Sequence, residues 1–247
     1  VERIFERSKS YLTVAIAETL AGDGAKVAED FVWDHSLRVL DLAQRICHEH
    51  QVDVESETAA LTAAAMYHDA AWIALLREGT IPPAKLLSRP SDVGMRKISA
   101  NVLRQEAADV MDRRDLELAC RYIVELAATR HESPVMQALA DAENLEEIGL
   151  IGVIRQVRQG LLSGKSARRV LEGWHRQQEY HYWESRIGAG LNYDVSRRLA
   201  RNRLDRMGVF FDLLQQEVEL EDLKEICSRE LARSENKLFM PELRQKE

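Results

Sequence analysis

Residues 63–72 read Ala-Ala-Ala-Met-Tyr-His-Asp-Ala-Ala-Trp, which sets a histidine and an aspartate side by side in an otherwise apolar run. Apolar residues at this density are buried, and a charged aspartate is almost never fully buried unless it is paired or bound to a metal. Neutral imidazole together with carboxylate is the ligand chemistry of a divalent transition metal. Neighbouring residues of a helix point about 100° apart. His68 and Asp69 therefore share an ion only if it lies in the groove beside their helix, with the remaining ligands supplied by other helices.

Two other places in the chain supply such groups. His35 opens the amphipathic run WDHSLRVLDLAQRI, and Asp141 lies in the apolar setting ALADAENLEEIGLIGVIR. Helical periodicity continues through nearly all of the 247 residues, and five prolines and twelve glycines leave little room for linkers. The reading is an all-α chain with one principal domain and no internal repeat. The expected helices span residues 4–20 (ended by Gly22-Asp23-Gly24), 25–50, 57–77, 95–111, 116–129 and 135–159. An amphipathic final third follows over 166–218, and then a highly charged stretch, 219–247. Residues 80–94, with Pro82, Pro83, Pro90 and Gly94, read as a loop, either a lid over a site or a plain connection. Gly149 and Gly152 would each cost a helix about 1 kcal/mol relative to alanine, which predicts close approach of another helix there.

Lys and Arg number 34 against 41 Asp and Glu, for a net charge of −7. This disfavours a polyanion-binding role for the whole surface, and no large nucleic acid is expected as a partner, but a local basic pocket for a small phosphate is compatible with it. Cys47, Cys120 and Cys227 are widely spaced and form no C-x-x-C pair, which suits free thiols in a reducing compartment and makes the cytoplasm the expected location. No apolar run approaches the roughly 18 to 20 residues of a bilayer span. The stretch 11–21 carries Glu18 and makes a poor signal peptide, so no membrane association is expected. Cys47-His48-Glu49-His50 looks like a second metal cluster, but its two histidines point to different sides of a helix. His175 and His181, six residues apart, are read as packing or surface residues.

The order His35, His68-Asp69, Asp141 resembles the HD superfamily of metal-dependent phosphohydrolases, named for the doublet. The likeness extends to the HSxRV-like start at residues 35–39, the apolar approach to His68, and the D-A-E-x-L-x-x-I-G-x-I-G-x-x-R run over residues 141–155. It covers roughly residues 27–220 and implies an all-α HD-type helical bundle. Residues 1–26 would form an N-terminal helix and turn, and residues 221–247 a charged extension. The resemblance implies one divalent transition metal (Mn, Fe, Co, Ni or Zn) held by His35, His68, Asp69 and Asp141. Asp69 would also take the proton of the attacking water. The implied activity is hydrolysis of a phosphomonoester or phosphodiester, with a nucleotide as one candidate, and a homodimer is left open. Arg38 is expected beside the phosphate, or else in a surface salt bridge with Asp34 or Asp41. His131 is expected at the substrate, or else as a helix-end residue. Many members continue the doublet as His-Asp-x-Gly-Lys, whereas this chain reads HDAAW; Trp72 in that place is expected to wall the pocket or stack on a base, or else to pack in the core. Two other readings compete: an HD-fold di-iron oxygenase, for which His131 is the only extra histidine between the doublet and Asp141, and a non-catalytic HD scaffold that binds nucleotide or protein.

Overall fold

The computed structural model describes residues 1–17, 26–29, 31–82, 85–87 and 90–238. In chain order the helices are α1 (Glu2–Leu12), α2 (Phe31–Glu49), α3 (Thr58–Tyr67), α4 (Ala70–Arg77), α5 (Val93–Ala107) and α6 (Arg113–Glu125). They continue with α7 (Pro134–Leu145), α8 (Leu150–Leu162), α9 (Ala167–Glu179), α10 (Tyr182–Gly190), α11 (Asp194–Val218) and α12 (Glu221–Leu238). The described residues are all-α apart from one short antiparallel pair, β1 (Val14–Ala17) and β2 (Lys26–Glu29). That pair corrects the expected helices over 4–20 and 25–50. The first helix stops at Leu12, where Thr13, Val14 and Ile16 follow, and β-branched side chains favour extended backbone over helix. The Gly22-Asp23-Gly24 turn lies outside the described residues.

The centre of the fold is α3, TAALTAAAMY, in which every residue from Ala60 to Tyr67 is buried. A helix that is apolar on all sides belongs inside a bundle. Its small alanines let α2, α5, α6 and α7 all pack against it. Among the described residues no single helix is long and apolar enough to cross a membrane.

Two expected long helices are broken, and both breaks shape the site. The doublet helix over 57–77 is two helices, α3 and α4, meeting at a 42° bend with His68 and Asp69 at the joint. Three backbone groups at the bend find partners in side chains. The Nδ1 of His68 lies 2.7 Å from the carbonyl of Ala65, the guanidinium of Arg96 donates to the carbonyl of His68 at 2.9 Å, and the amide of Ala71 donates to Ser99 Oγ at 2.9 Å. Buried backbone groups are almost always paired, so α5, which carries Arg96 and Ser99, stabilises the bend.

The helix expected over 135–159 likewise divides into α7 and α8 at residues 146–149. Gly149 takes φ +110°, and a Cβ on Gly152 would lie 2.1 Å from the carbonyl oxygen of Glu147. Gly152 therefore serves a turn in its own chain, while Gly149 meets the expected close approach of another helix, since a Cβ there would lie 3.1 Å from the side chain of Arg203 on α11. In the 80–94 stretch the side chains of Leu86 and Leu87 are buried, and their carbonyls accept from Arg158 and Gln159 of α8, so its middle is pinned.

Candidate metal centre

α2 presents His35, the α3–α4 bend presents His68 and Asp69, and α7 presents Glu143. One ligand atom from each lies within 4.8 Å of the others. The two imidazole Nε2 atoms face each other at 3.1 Å, and each is 3.6 Å from Asp69 Oδ2. Glu143 Oε2 lies 2.7 Å from His68 Nε2. His35, His68 and Asp69 are at most 3% exposed. The bend answers the geometric problem posed by two consecutive residues: with the helix interrupted between them, both side chains reach the same point.

The outer nitrogens of the imidazoles fix their tautomers. His68 Nδ1 meets a carbonyl, which can only accept, so in the neutral ring that nitrogen carries the proton and Nε2 is a lone pair. His35 Nδ1 faces Glu146 Oε2 at 3.4 Å, with the same consequence. Metal-bound histidines are oriented by this kind of outer hydrogen bond. Two imidazole lone pairs and two carboxylate oxygens then converge on one point and repel each other unless a cation lies among them. The donor set fits a divalent transition ion. His68 has a raised pKa: burial lowers it, but the carboxylates of Glu143 and Asp69 outweigh burial. His35 has a lowered one, because burial outweighs the hydrogen bond to Glu146.

Arg96 is the counter-ion of the centre. It is 2% exposed, donates to Asp69 Oδ1 at 2.9 Å and to Glu143 Oε1 at 2.6 Å, and leaves the opposite oxygens of both carboxylates facing the imidazoles. Burial by itself would raise both carboxyl pKa values. The positive neighbours His68 and Arg96 hold Asp69 below its ordinary value and Glu143 well below it. Asp69 Oδ1 also accepts from Ser91 Oγ at 2.7 Å, and Ser91 Oγ accepts from Trp72 Nε1 at 3.1 Å.

The structure brings His35, His68 and Asp69 together but holds Asp141 elsewhere. Both Asp141 oxygens are engaged: Oδ1 accepts from Asn192 N and Asn192 Nδ2 at 2.7 and 2.8 Å, and Oδ2 accepts from Tyr193 N at 3.0 Å. Residues two apart on a helix point about 200° apart, so α7 cannot aim Asp141 and Glu143 the same way, and Glu143 is the fourth member of the cluster. Arg38 donates to Glu146 at 2.8 Å, bracing the partner of His35, and pairs with neither Asp34 nor Asp41. Trp72 is 3% exposed and packs in the core, where its indole N–H holds Ser91. Neither Arg38 nor Trp72 lines the cavity beside the centre. The His50 ring packs tilted against Tyr193, with centroids 4.4 Å apart, and no cluster forms around residues 47–50 among the described residues.

That cavity, of about 520 Å³, is lined by Ser91, Arg96, His131, Glu143, Arg186 and Asn192, among others. His131 is therefore at the site, with a pKa lowered by burial. Sequence reasoning missed Arg96, Glu143 and Glu146. The signals were present: Glu143 and Glu146 are acids in an apolar helix, like Asp69, and are one turn apart. Arg96 shares the inward stripe of α5 with Ala100, Leu103 and Ala107.

The family model for the HD domain matches residues 32–157. Comparison with curated proteins found no match. Among solved structures, that of Bacillus subtilis YpgQ in complex with ADP is similar at 19% identity and TM-score 0.54, covering 88% of this chain and 97% of that one. The Lin1889 protein from Listeria innocua is similar at 16% identity and TM-score 0.54, covering 88% and 96%. An HD-superfamily hydrolase from Bacillus thuringiensis is similar at 16% identity and TM-score 0.52, again covering 88% and 96%.

Proposed function

Because this chain belongs to the HD-domain family, we propose that it is a metal-dependent phosphohydrolase acting on a nucleotide-like phosphate ester, with His35, His68, Asp69 and Glu143 as the metal-holding residues. The observation that carries the reading is the convergence of two imidazole nitrogens and two carboxylate oxygens within 4.8 Å of one another, at a cavity with room for a small phosphate ester. The nucleotide class is supported by the YpgQ structure in complex with ADP.

A divalent transition ion in such a donor set lowers the pKa of water and polarises a phosphoryl oxygen. The residues do the rest. Glu146 and the Ala65 carbonyl hold the His35 and His68 rings with their Nε2 lone pairs turned inward. Arg96 and Ser91 engage Asp69 Oδ1, which leaves Oδ2 facing the centre as the proton acceptor for the attacking water. His131 and Arg186 line the cavity as donors to substrate phosphate. Arg186 is itself oriented by Glu147 at 2.5 Å and Asn144 at 2.9 Å.

Metal analysis coupled to a panel of phosphomonoesters and phosphodiesters tests the reading. The expected result is about one equivalent of a divalent transition ion per chain, together with metal-dependent release of phosphate or nucleoside that Asp69→Asn abolishes. Metal-loaded protein that releases nothing across the panel overturns it. Tight nucleotide binding without turnover would instead identify a binding scaffold, and two irons per chain an oxygenase.

A further inference from the structure

The cavity at the metal centre does not end there. Pro90, Glu147 and Arg186 also line a second cavity of about 220 Å³, whose walls include Arg155 and Tyr182. Gln156, Gln159 and Gln177 are shared in turn with a third, of about 390 Å³. Among the described residues, the lining of this last cavity holds three cations, Lys85, Lys165 and Arg169, and no carboxylate. In a chain with a net charge of −7, an all-cationic pocket is a departure from the average surface.

Its parts are fixed by the fold. The turn bearing Lys85 is tied to α8 through the carbonyls of Leu86 and Leu87, which accept from Arg158 at 3.0 Å and Gln159 at 3.3 Å. Lys165 precedes α9, and Arg169 lies in its first turn, where it pairs with Glu172 at 2.7 Å. Between this pocket and the metal centre, the half-exposed ring of Tyr182 packs edge-on against Trp183 at 4.9 Å and offers a face to a flat group.

We infer that Lys85, Lys165 and Arg169 form a second anion site in line with the metal centre, selecting a phosphate ester that carries another phosphate group remote from the reacting one, as a short phosphodiester-linked nucleotide does. The inference rests on the phosphohydrolase reading and adds the substrate's length to it. The reacting phosphate lies at His131 and Arg186 beside Arg96, the base or sugar lies along Tyr182, and the remote phosphate reaches the three cations.

The test is equilibrium binding of two probes, adenosine 5′-monophosphate and the 5′-phosphorylated trinucleotide of deoxyadenosine, to the manganese-loaded full chain and to its Lys85→Glu/Lys165→Glu variant. Both substituted side chains are exposed, so the fold should tolerate the change. The wild type is expected to bind the trinucleotide at least about tenfold more tightly than the monophosphate, the scale of a few phosphate contacts. The variant should lose that preference to within about twofold while its affinity for the monophosphate is unchanged. Monophosphate binding without a preference for the trinucleotide, or a preference that survives in the variant, overturns the second site alone. Failure of the wild type to bind either probe overturns the underlying reading and the second site with it.

Discussion

At the residue scale, the sequence argument that works for Asp69, an acid stranded among apolar neighbours, applies equally to Asp141 and Glu143 on α7 and to Glu146 at its C-terminal end, and only the helix phase separates their roles. Glu143 enters the centre, Glu146 holds the His35 ring, and Asp141 ties the start of α11 to α7. Glu143→Gln is therefore expected to weaken manganese binding by more than the roughly 10- to 100-fold that losing an outer partner costs. Asp141→Asn should leave metal affinity nearly unchanged and lower stability by about 1–3 kcal/mol, through lost acceptance of the Asn192 and Tyr193 groups. Titration calorimetry with manganese and urea melts would separate the two, and equal loss of metal by both variants would contradict the assignment. Arg96 is tested differently. Arg96→Met keeps the side-chain length but leaves the buried Asp69 and the partly buried Glu143 without their counter-ion, at a cost of about 3–5 kcal/mol in metal-free protein. Manganese, by neutralising the same carboxylates, should restore a large part of that loss. A variant destabilised equally with and without manganese would show that Arg96 matters only for packing.

At the scale of elements, the helical stretches and their order were legible because apolar periodicity is a local property, but the number of helices was not, because the causes of the breaks are tertiary. The bend at His68-Asp69 depends on Arg96 and Ser99, roughly a helix and a loop away in sequence, taking over the freed backbone groups. No window around residue 68 contains that information. The α7–α8 break was half legible: two glycines marked a backbone irregularity, and only the coordinates show that the carbonyl of Glu147 sits where a Cβ on Gly152 would be. Gly152→Ala should consequently cost about 1–3 kcal/mol through forced backbone displacement. It should also weaken metal binding, since Glu146 and Glu147 sit on that turn. Gly208, within α11, would meet nothing within 4 Å with a Cβ added. Gly208→Ala is accordingly expected to stabilise by roughly 0.5–1 kcal/mol. Thermal melts of the two variants, run side by side, check the contrast, and a neutral Gly152→Ala would refute the proposed role of the turn.

At the scale of the whole molecule, the same bundle that buries the metal centre buries two of its three thiols. Cys47 on α2 and Cys120 on α6 are each about 1% exposed, on helices that flank α3, and Cys227 on α12 is exposed. Burial pushes both interior thiols from the ordinary value near 9 up to about 11. A group whose folded pKa is raised contributes its full stabilisation below the unfolded pKa and loses it as pH rises through the folded one. The loss must therefore fall between about pH 9 and pH 11, where the unfolded chain has released these protons and the folded chain still holds them. Its size is set by the shift, up to roughly 2–3 kcal/mol for each thiol. The Cys47→Ala/Cys120→Ala double variant has neither group, so its stability should fall less steeply than that of the wild type across this window, even if it starts lower because of the two small cavities. Urea unfolding at pH 8, 9, 10 and 11 measures both slopes, and parallel curves would mean that the thiols share one pKa in the folded and unfolded chain. In the native state at pH 8 a disulfide-exchange reagent should titrate one thiol quickly, Cys227, and the other two only at the rate at which the bundle opens, which makes thiol release a reporter of core opening that manganese should slow by binding only the closed form.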